Sequence, residues 1–181
     1  MTTIIGVQYD DSCTLVADSL VSDDSGRTWV HPDMTKINKR GEFLIAGSGE
    51  VAPCDIAQHI WTPPRLTALD RDDVYHYMIV KAMPSFRKCL KENGYNFEEP
   101  QEKGDGSRFQ FLMAVNGELF DIGDDLSVMR SKDGFYAVGS GAPIALGALH
   151  AGAKPQKAVE IAAKLSIYTA GPYQVETQHS K

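Results

Sequence analysis

The chain has 181 residues, enough for one domain with a hydrophobic core of its own. Hydrophobic residues make up 43% and charged residues 23%, an ordinary globular composition that excludes a low-complexity or collagen-like chain. The formal net charge of −6 disfavours a nucleic-acid or anionic-membrane partner, because phosphate binding needs a basic face.

The cysteines and the apolar runs indicate the cellular compartment of the protein. Cys13, Cys54 and Cys89 are sparse and odd in number, which is typical of a reducing compartment and not of a disulfide framework. Neither cysteines nor histidines have the spacing of a structural zinc site. The apolar runs are far shorter than the ~20 residues that span a bilayer, and no signal peptide is apparent. We therefore expect a cytoplasmic protein.

The first fifty residues predict strands. Residues 2–9 and 14–18 form two apolar strands about a polar turn, and residues 22–31 are polar enough to predict a loop. Residues 36–40 and 43–47 predict a hairpin about Gly41. Connections this short favour antiparallel pairing.

The middle of the chain predicts helices, and the last third predicts strands followed by helices. Helices are expected over residues 51–61 and 72–93, the second kinked at Pro84, with a polar loop over 98–107. The strongest hairpin signal joins 109–115 and 118–122 through Asn116-Gly117, and 135–138 is a further strand. Helices over 143–151 and 155–168 complete the chain. Segregated strands and helices favour the α+β class.

The residues most informative about chemistry are Met1, Thr2 and Thr3. Removal of Met1 would leave Thr2 with a free α-amine, whose pKa of about 7.7–8.0 leaves part of it unprotonated near neutral pH. This amine can accept the hydroxyl proton and make the Thr2 Oγ a nucleophile without a histidine. Taken alone, the same three residues are more typical of an ordinary strand start.

An ordered set of motifs resembles the proteasome β subunits and the bacterial protease subunit HslV. The motifs are TTIIGVQY, LVADS, TKI, FLIAGSG, YAVGSGAPIALGAL and SIYTAGP, and they cover nearly the whole chain, most weakly between residues 63 and 108. The resemblance implies a single domain over 1–181, a four-layer αββα sandwich of two antiparallel sheets. It also implies peptide-bond hydrolysis by an N-terminal threonine.

The resemblance assigns a role to each matching residue. Thr2 is the expected nucleophile with its own α-amine as base, Lys36 supplies a positive charge, and Asp18 pairs with Lys36. Gly49, or alternatively Gly47, donates a backbone N–H to the oxyanion. Ser140 lies near the amine and relays its proton, the alternative being a helix cap ahead of the next helix.

Further positions follow from the same resemblance. The substrate pocket is expected at Val21, Ser22, Met34, Gly47 and Val51, with Gly47 leaving room where a bulkier residue would fill the floor, so an apolar substrate side chain is expected. Ser166 and Thr169 lie beside the site, and Ser166 replaces an aspartate of the proteasome β subunits that HslV also lacks. The chemistry requires no cofactor, but backbone carbonyls of Ala163, Ser166 and Thr169 are an implied site for Na⁺ or another cation.

The implied partners are copies of the same chain in stacked hexameric or heptameric rings, polypeptide substrates and an AAA+ ATPase unfoldase. The segment between Asp18 and Lys36 is longer than usual in the family, and Thr35-Lys36 replaces its common Lys-Lys, which leaves the ATPase partner open. Two alternatives remain open. One is a catalytically inactive ring or shell protein with this fold, and the other is an N-terminal-nucleophile amidase that acts on small amides.

Overall fold

The structure is a computed structural model that describes residues 2–22, 25–30, 35–97 and 108–181. The strands in this part are β1 (Ile4–Gln8), β2 (Ser12–Ala17), β3 (Leu20–Ser22), β4 (Thr28–Val30), β5 (Ile37–Arg40), β6 (Phe43–Gly49), β7 (Phe109–Val115), β8 (Glu118–Ile122), β9 (Val128–Met129), β10 (Phe135–Val138) and β11 (Gln174–His179). The helices are α1 (Val51–Asp55), α2 (Ala68–Asp72), α3 (Val74–Tyr77), α4 (Met83–Glu92), α5 (Ala142–His150) and α6 (Pro155–Leu165), with π-helical segments at Ile56–Ile60 and Met78–Ala82. Among these described helices, none combines the length and the apolar content that a bilayer crossing requires.

The strands form two main sheets and one small hairpin. One sheet has the order β10-β1-β2-β11, the other has the order β5-β6-β7-β8-β9, and β3 pairs with β4. Every pairing is antiparallel, as predicted from the short connections.

Three separate apolar cores hold four layers together. Between the five-stranded sheet and the helices of residues 51–92, the Trp61 and Phe86 rings lie 4.9 Å apart and the Phe86 and Phe111 rings 5.6 Å apart. Ile4 belongs to the core between the two sheets, whereas its neighbour Ile5 packs against α5 and α6. Successive side chains of a strand point to opposite faces, so β1 is buried on both sides. The predicted four-layer αββα sandwich of the α+β class is confirmed.

The hairpins agree with the sequence more closely than the helices do. Asn116 and Gly117 have φ values of 50° and 80°, the positive values that a tight turn between two strands requires. The expected loop over 22–31 is wrong in its described part, because Leu20–Ser22 and Thr28–Val30 pair as a hairpin.

The expected helix over 72–93 is wrong at its start. Asp73 has non-helical backbone and caps α3 through its carboxylate, which accepts the His76 N–H at 2.9 Å. From Val74 to Glu92 the helical residues are continuous, and a π-helical segment joins α3 to α4 just before Pro84, the second residue of α4. The sequence reading missed α2, β9 and β11, and the predicted loop over 98–107 lies outside the described residues.

Candidate active site

Asp18 follows the last residue of β2 and is buried, with 1% of its surface exposed. Its Oδ1 accepts the Thr3 N–H at 2.8 Å and the Lys36 ammonium at 2.7 Å. Its Oδ2 accepts the N–H groups of Leu20 at 3.1 Å and Ala170 at 3.3 Å. Four donors match the acceptor capacity of a carboxylate, so the buried charge is fully hydrogen-bonded.

Lys36 directly precedes β5 and points its ammonium toward Asp18. The Nζ also donates to the Leu20 carbonyl at 2.6 Å, and 9% of the side chain is exposed. Burial lowers the pKa of this ammonium below its ordinary value, and the charge and hydrogen bond of Asp18 oppose that effect. The Lys36 side chain is therefore held in one place by a paired carboxylate and a main-chain carbonyl.

Thr2 is buried at the start of β1, and its neighbours fix its main chain. The Thr2 carbonyl accepts a hydrogen bond from Ser140 Oγ and one from the Gly141 N–H, both at 3.4 Å. The next residue, Thr3, receives the Asp18 N–H on its carbonyl at 3.1 Å and pairs its hydroxyl with that of Thr169 at 2.6 Å. The main chain that follows the Thr2 side chain is thus anchored to Asp18 and to the segment that leads into α5.

Two glycines allow close approaches that no other residue permits. Gly139 has φ +91°, and a Cβ there would overlap the Thr2 carbonyl. Gly49 has φ +106°, and a Cβ there would overlap the Arg108 carbonyl. Both residues need glycine for conformation and for space.

A cleft opens beside Thr2. The last residue pair between β5 and β6 is Ile37 with Ala46, and β6 continues beyond it. The cleft lies beside this end of β6. Its lining includes Thr2, Leu20, Val21, Ser22, Thr35, Lys36, Gly47, Ser48, Gly49, Val51, Cys54, Asp55 and Gln58. The structure therefore brings the expected nucleophile, the expected lysine and both candidate oxyanion donors to one opening.

The backbone direction at the end of β6 favours Gly49 as a donor into the cleft. The Glu50 N–H donates to the Arg108 carbonyl at 2.9 Å, so it faces β7. Glu50 is therefore not available as an oxyanion donor, and Gly49, which lines the cleft, stays the predicted one.

Gly47 lines the cleft, as expected, and also meets a packing constraint that was not expected. A Cβ there would lie 2.6 Å from Cys54 Sγ and 2.6 Å from a ring carbon of Phe111. A bulkier residue would therefore press on the aromatic core as well as on the cleft, and the pocket-floor role of Gly47 stays a prediction. Burial raises the pKa of the Cys54 thiol to about 12, so Cys54 contributes a neutral wall to the cleft.

The sequence analysis did not predict four polar residues of the cleft, Thr35, Ser48, Asp55 and Gln58. The last two lie in the helical segment after β6. Asp55 ends α1 with an exposed carboxylate, and no ion pair of the described residues includes it. Gln58 is buried in the π-helical segment that follows. The sequence could have indicated Asp55 and Gln58, because in the predicted helix over 51–61 they share one face with Val51, an expected pocket residue. The expected apolar pocket is thus apolar at Val21 and Val51 but acidic at Asp55.

The remaining expected residues lie outside the cleft lining or outside the described residues. Ser140 is exposed and does not cap α5, whose N-cap is Gly141 without a side-chain bond, so the helix-cap alternative is wrong. Thr169 contacts Thr3, and Ser166 Oγ accepts the Tyr168 N–H at 3.2 Å. Met34 lies outside the described residues.

The implied cation site receives no support from the contacts of its three expected ligands. The Ser166 carbonyl accepts the Thr169 N–H at 3.4 Å, and Ala163 is a half-buried residue of α6. Within the described ranges, no group of three or more histidine, cysteine, aspartate or glutamate side chains is placed to hold a metal ion. We therefore derive no step through a cation, and the site stays a prediction.

This architecture, two antiparallel sheets between two helical layers with a threonine at the start of the first strand, is the fold of the proteasome-like N-terminal-nucleophile hydrolases. The fold matches Thiobacillus denitrificans BPH in complex with epoxomicin, with a TM-score of 0.76, 24% identity and 99% of each chain covered. It also matches a second structure of that BPH, with a TM-score of 0.73, 24% identity and coverage of 99% of this chain and 98% of the other. Eukaryotic HslV from Trypanosoma brucei matches with a TM-score of 0.63, 18% identity and coverage of 98% and 99%. The resemblance seen in the sequence is confirmed at the level of the fold, although no family model and no curated protein matches the chain.

We predict that Gly139→Ala destabilises the protein more than Gly152→Ala. Both glycines have positive φ, but a Cβ at Gly152 meets no atom within 4 Å, whereas one at Gly139 overlaps the Thr2 carbonyl. Gly152→Ala should cost about 1–2 kcal/mol for left-handed backbone, and Gly139→Ala at least about twice that. Urea unfolding measures both values, and equal losses would show that Gly139 does not hold Thr2 in place.

Proposed function

We propose that the protein is a threonine peptidase that uses Thr2 as an N-terminal nucleophile after removal of Met1. The observation that carries the proposal is that Thr2, Lys36 and Gly49 line one cleft, while Asp18 holds Lys36 from behind. The buried Asp18–Lys36 pair supports the proposal, because burying two charges costs free energy and the lysine of this pair lines the cleft together with Thr2.

The reaction begins with the Thr2 α-amine as general base. The amine takes the hydroxyl proton, Oγ attacks the peptide carbonyl carbon, and the carbonyl oxygen becomes an oxyanion that the Gly49 N–H binds. The protonated amine then gives its proton to the leaving nitrogen as the C–N bond breaks, which leaves an ester on Thr2. The amine next takes a proton from water, and the resulting attack releases the acid and restores the Thr2 hydroxyl.

The positive charge of Lys36 allows the Thr2 α-amine to act as a general base near neutral pH. A nearby ammonium disfavours protonation of the amine and favours ionisation of the hydroxyl. Asp18 keeps Lys36 charged and in place. Ser140, whose hydroxyl hydrogen-bonds the Thr2 carbonyl, is the group proposed to pass protons between the amine and solvent.

We predict that Thr2→Ala abolishes hydrolysis of fluorogenic peptides, because it removes the atom that forms the ester. Epoxomicin should add to Thr2, and intact mass should show loss of Met1 and a gain equal to the mass of the inhibitor. Thr2→Ala should lose Met1 but gain no inhibitor, and Thr2→Ser should keep part of the activity. Thr177→Ala, which removes an exposed hydroxyl on β11, is the matched control and should change neither readout.

The two alternatives give different results in the same experiment. An inactive shell protein would show no hydrolysis and no inhibitor addition in the unaltered chain. An amidase would hydrolyse small amides but not peptides of several residues. Full peptide hydrolysis by Thr2→Ala would contradict every mechanism that uses this nucleophile.

We also propose that the chain assembles into stacked hexameric or heptameric rings, which an AAA+ ATPase unfoldase supplies with polypeptides. Among the exposed large apolar side chains, two groups are close in sequence: Leu165 and Ile167 at the end of α6, 71% and 79% exposed, and Ile79 and Val80 in the helical layer over the five-stranded sheet. Apolar groups this exposed and this close together are typical of surfaces that a partner covers. A ring would also confine a peptidase site away from folded proteins.

Light scattering of the purified protein should give the mass of twelve or fourteen chains, which are the sums of two hexamers or two heptamers. Replacing both Leu165 and Ile167 by serine should reduce that mass if this surface is an interface. Replacing Leu69, an isolated exposed leucine of α2, is the matched control and should leave the assembly intact. A stable single chain at micromolar concentration would contradict the ring.

We propose that the cleft accepts basic as well as apolar side chains at the residue before the cut. The charge of Lys36 is matched by Asp18, which leaves the Asp55 carboxylate to set the sign of the potential in the cleft. This revises the expectation of a purely apolar preference.

Peptides that differ only in that residue should be cleaved fastest with Arg or Leu and slowest with Glu. Asp55→Asn should lower the kcat/KM ratio of Arg over Leu roughly fivefold, which corresponds to about 1 kcal/mol for an exposed ion pair. Glu50→Gln is the matched control, because Glu50 pairs with Arg108 and does not line the cleft. An unchanged ratio in Asp55→Asn would remove Asp55 from substrate recognition.

A further inference from the structure

We infer that Gln174 is a positioning residue that holds Lys36 against Asp18, with Gln58 as a second support on the opposite side. The inference rests on the proposed function, because the place of Lys36 affects a reaction only if Thr2 is the nucleophile. The geometry itself does not depend on that function.

Gln174 binds the main chain next to Lys36 through both ends of its amide. Its Oε1 accepts the Ile37 N–H at 3.0 Å, and its Nε2 donates to the Ile37 carbonyl at 2.6 Å. A neighbouring strand would make the same pair of bonds to a residue at the edge of a sheet. Since β5 is the edge strand of its sheet, the Gln174 side chain takes the place of a missing strand for one residue.

The position of Gln174 in the other sheet explains why these hydrogen bonds matter for the site. In the β2–β11 pairing, Gln174 lies opposite Ala17, the residue before Asp18. Its side chain binds Ile37, the residue after Lys36. The Gln174 side chain therefore links the main chain next to Asp18, in one sheet, to the main chain next to Lys36, at the edge of the other sheet.

Gln58 fixes the other side of the same peptide segment. Its Nε2 donates to the Lys36 carbonyl at 2.9 Å, and its Oε1 accepts from Asn38 Nδ2 at 3.0 Å. Gln58 is 7% exposed, so both bonds are sheltered from water. Lys36 is thus held by an amide on each side of its main chain, in addition to the bonds at its Nζ.

Main-chain support matters because lysine has a long and flexible stem. Two bonds at Nζ fix the ammonium only if the Cα does not move. A displacement of about 1 Å in a catalytic group can cost about a hundredfold in rate. Gln174 is the better residue to test, because Gln58 also lines the cleft and would change substrate binding.

The test compares Gln174→Ala with Gln178→Ala. Gln178 is also on β11 and also binds the main chain of the other sheet, at the Gly117 N–H, but at the end of the strand far from Lys36. We expect Gln174→Ala to lower kcat for peptide hydrolysis at least about tenfold with KM changed less than about twofold. Gln178→Ala should leave both constants within about twofold of the unaltered protein while losing comparable stability.

A second measurement follows Lys36 without any catalysis. Acetic anhydride labels accessible amines, and peptide mass spectrometry gives the rate at Lys36 in the assembled protein. Labelling at Lys36 should be several-fold faster in Gln174→Ala and unchanged in Gln178→Ala, because only the first releases the ammonium.

The two readouts separate the inference from the proposed function. Equal labelling in the two variants would overturn the positioning role, and so would equal kcat if the unaltered protein cleaves peptides. If the unaltered protein cleaves no peptide but Gln174→Ala alone exposes Lys36, the proposed function fails and the positioning of Lys36 stands. If neither peptide cleavage nor a labelling difference is found, both fail.

Discussion

The carboxylate of Asp18 is the group on which the site depends. A buried charge is tolerated only when donors surround it, and its four donors come from four separate parts of the chain: the start of β1, the start of β3, the residue before β5 and the segment before β11. Hydrogen bonding to this one carboxylate therefore sets the relative positions of the four chain segments. Thr2 lies in the cleft because the next residue is one of these donors.

The sequence predicted those parts of the fold whose signals are local. Ile4 and Ile5, buried on opposite faces of β1, and the Asn116-Gly117 turn follow from alternation and from the conformational preference of two residues. The break at Asp73 was missed because the apolar spacing continues across it. The pairing of β11 was missed because its six residues are mostly polar and become a strand only beside β2.

The same distinction applies to the site. Thr2, Asp18 and Lys36 were found because their motifs stand in a fixed order, and the structure places them together. Gln174 carries no motif, and its contact with Ile37 spans 137 residues, so only the packing of the two sheets reveals it. The requirement for glycine at position 47 was equally impossible to see in the sequence, because the contacts come from Cys54 on a helix and from Phe111 on a neighbouring strand.

The hydrogen bond from Ala170 to Asp18 spans 152 residues, so the set of donors around this carboxylate is completed by the segment just before β11. During synthesis the N-terminus leaves the ribosome long before residues 170–174 exist. The proposed removal of Met1 would then act on an unstructured end. Contacts between such distant residues also form late and slowly in folding. The order of synthesis would thus delay completion of the proposed site until residues 170–174 have been made.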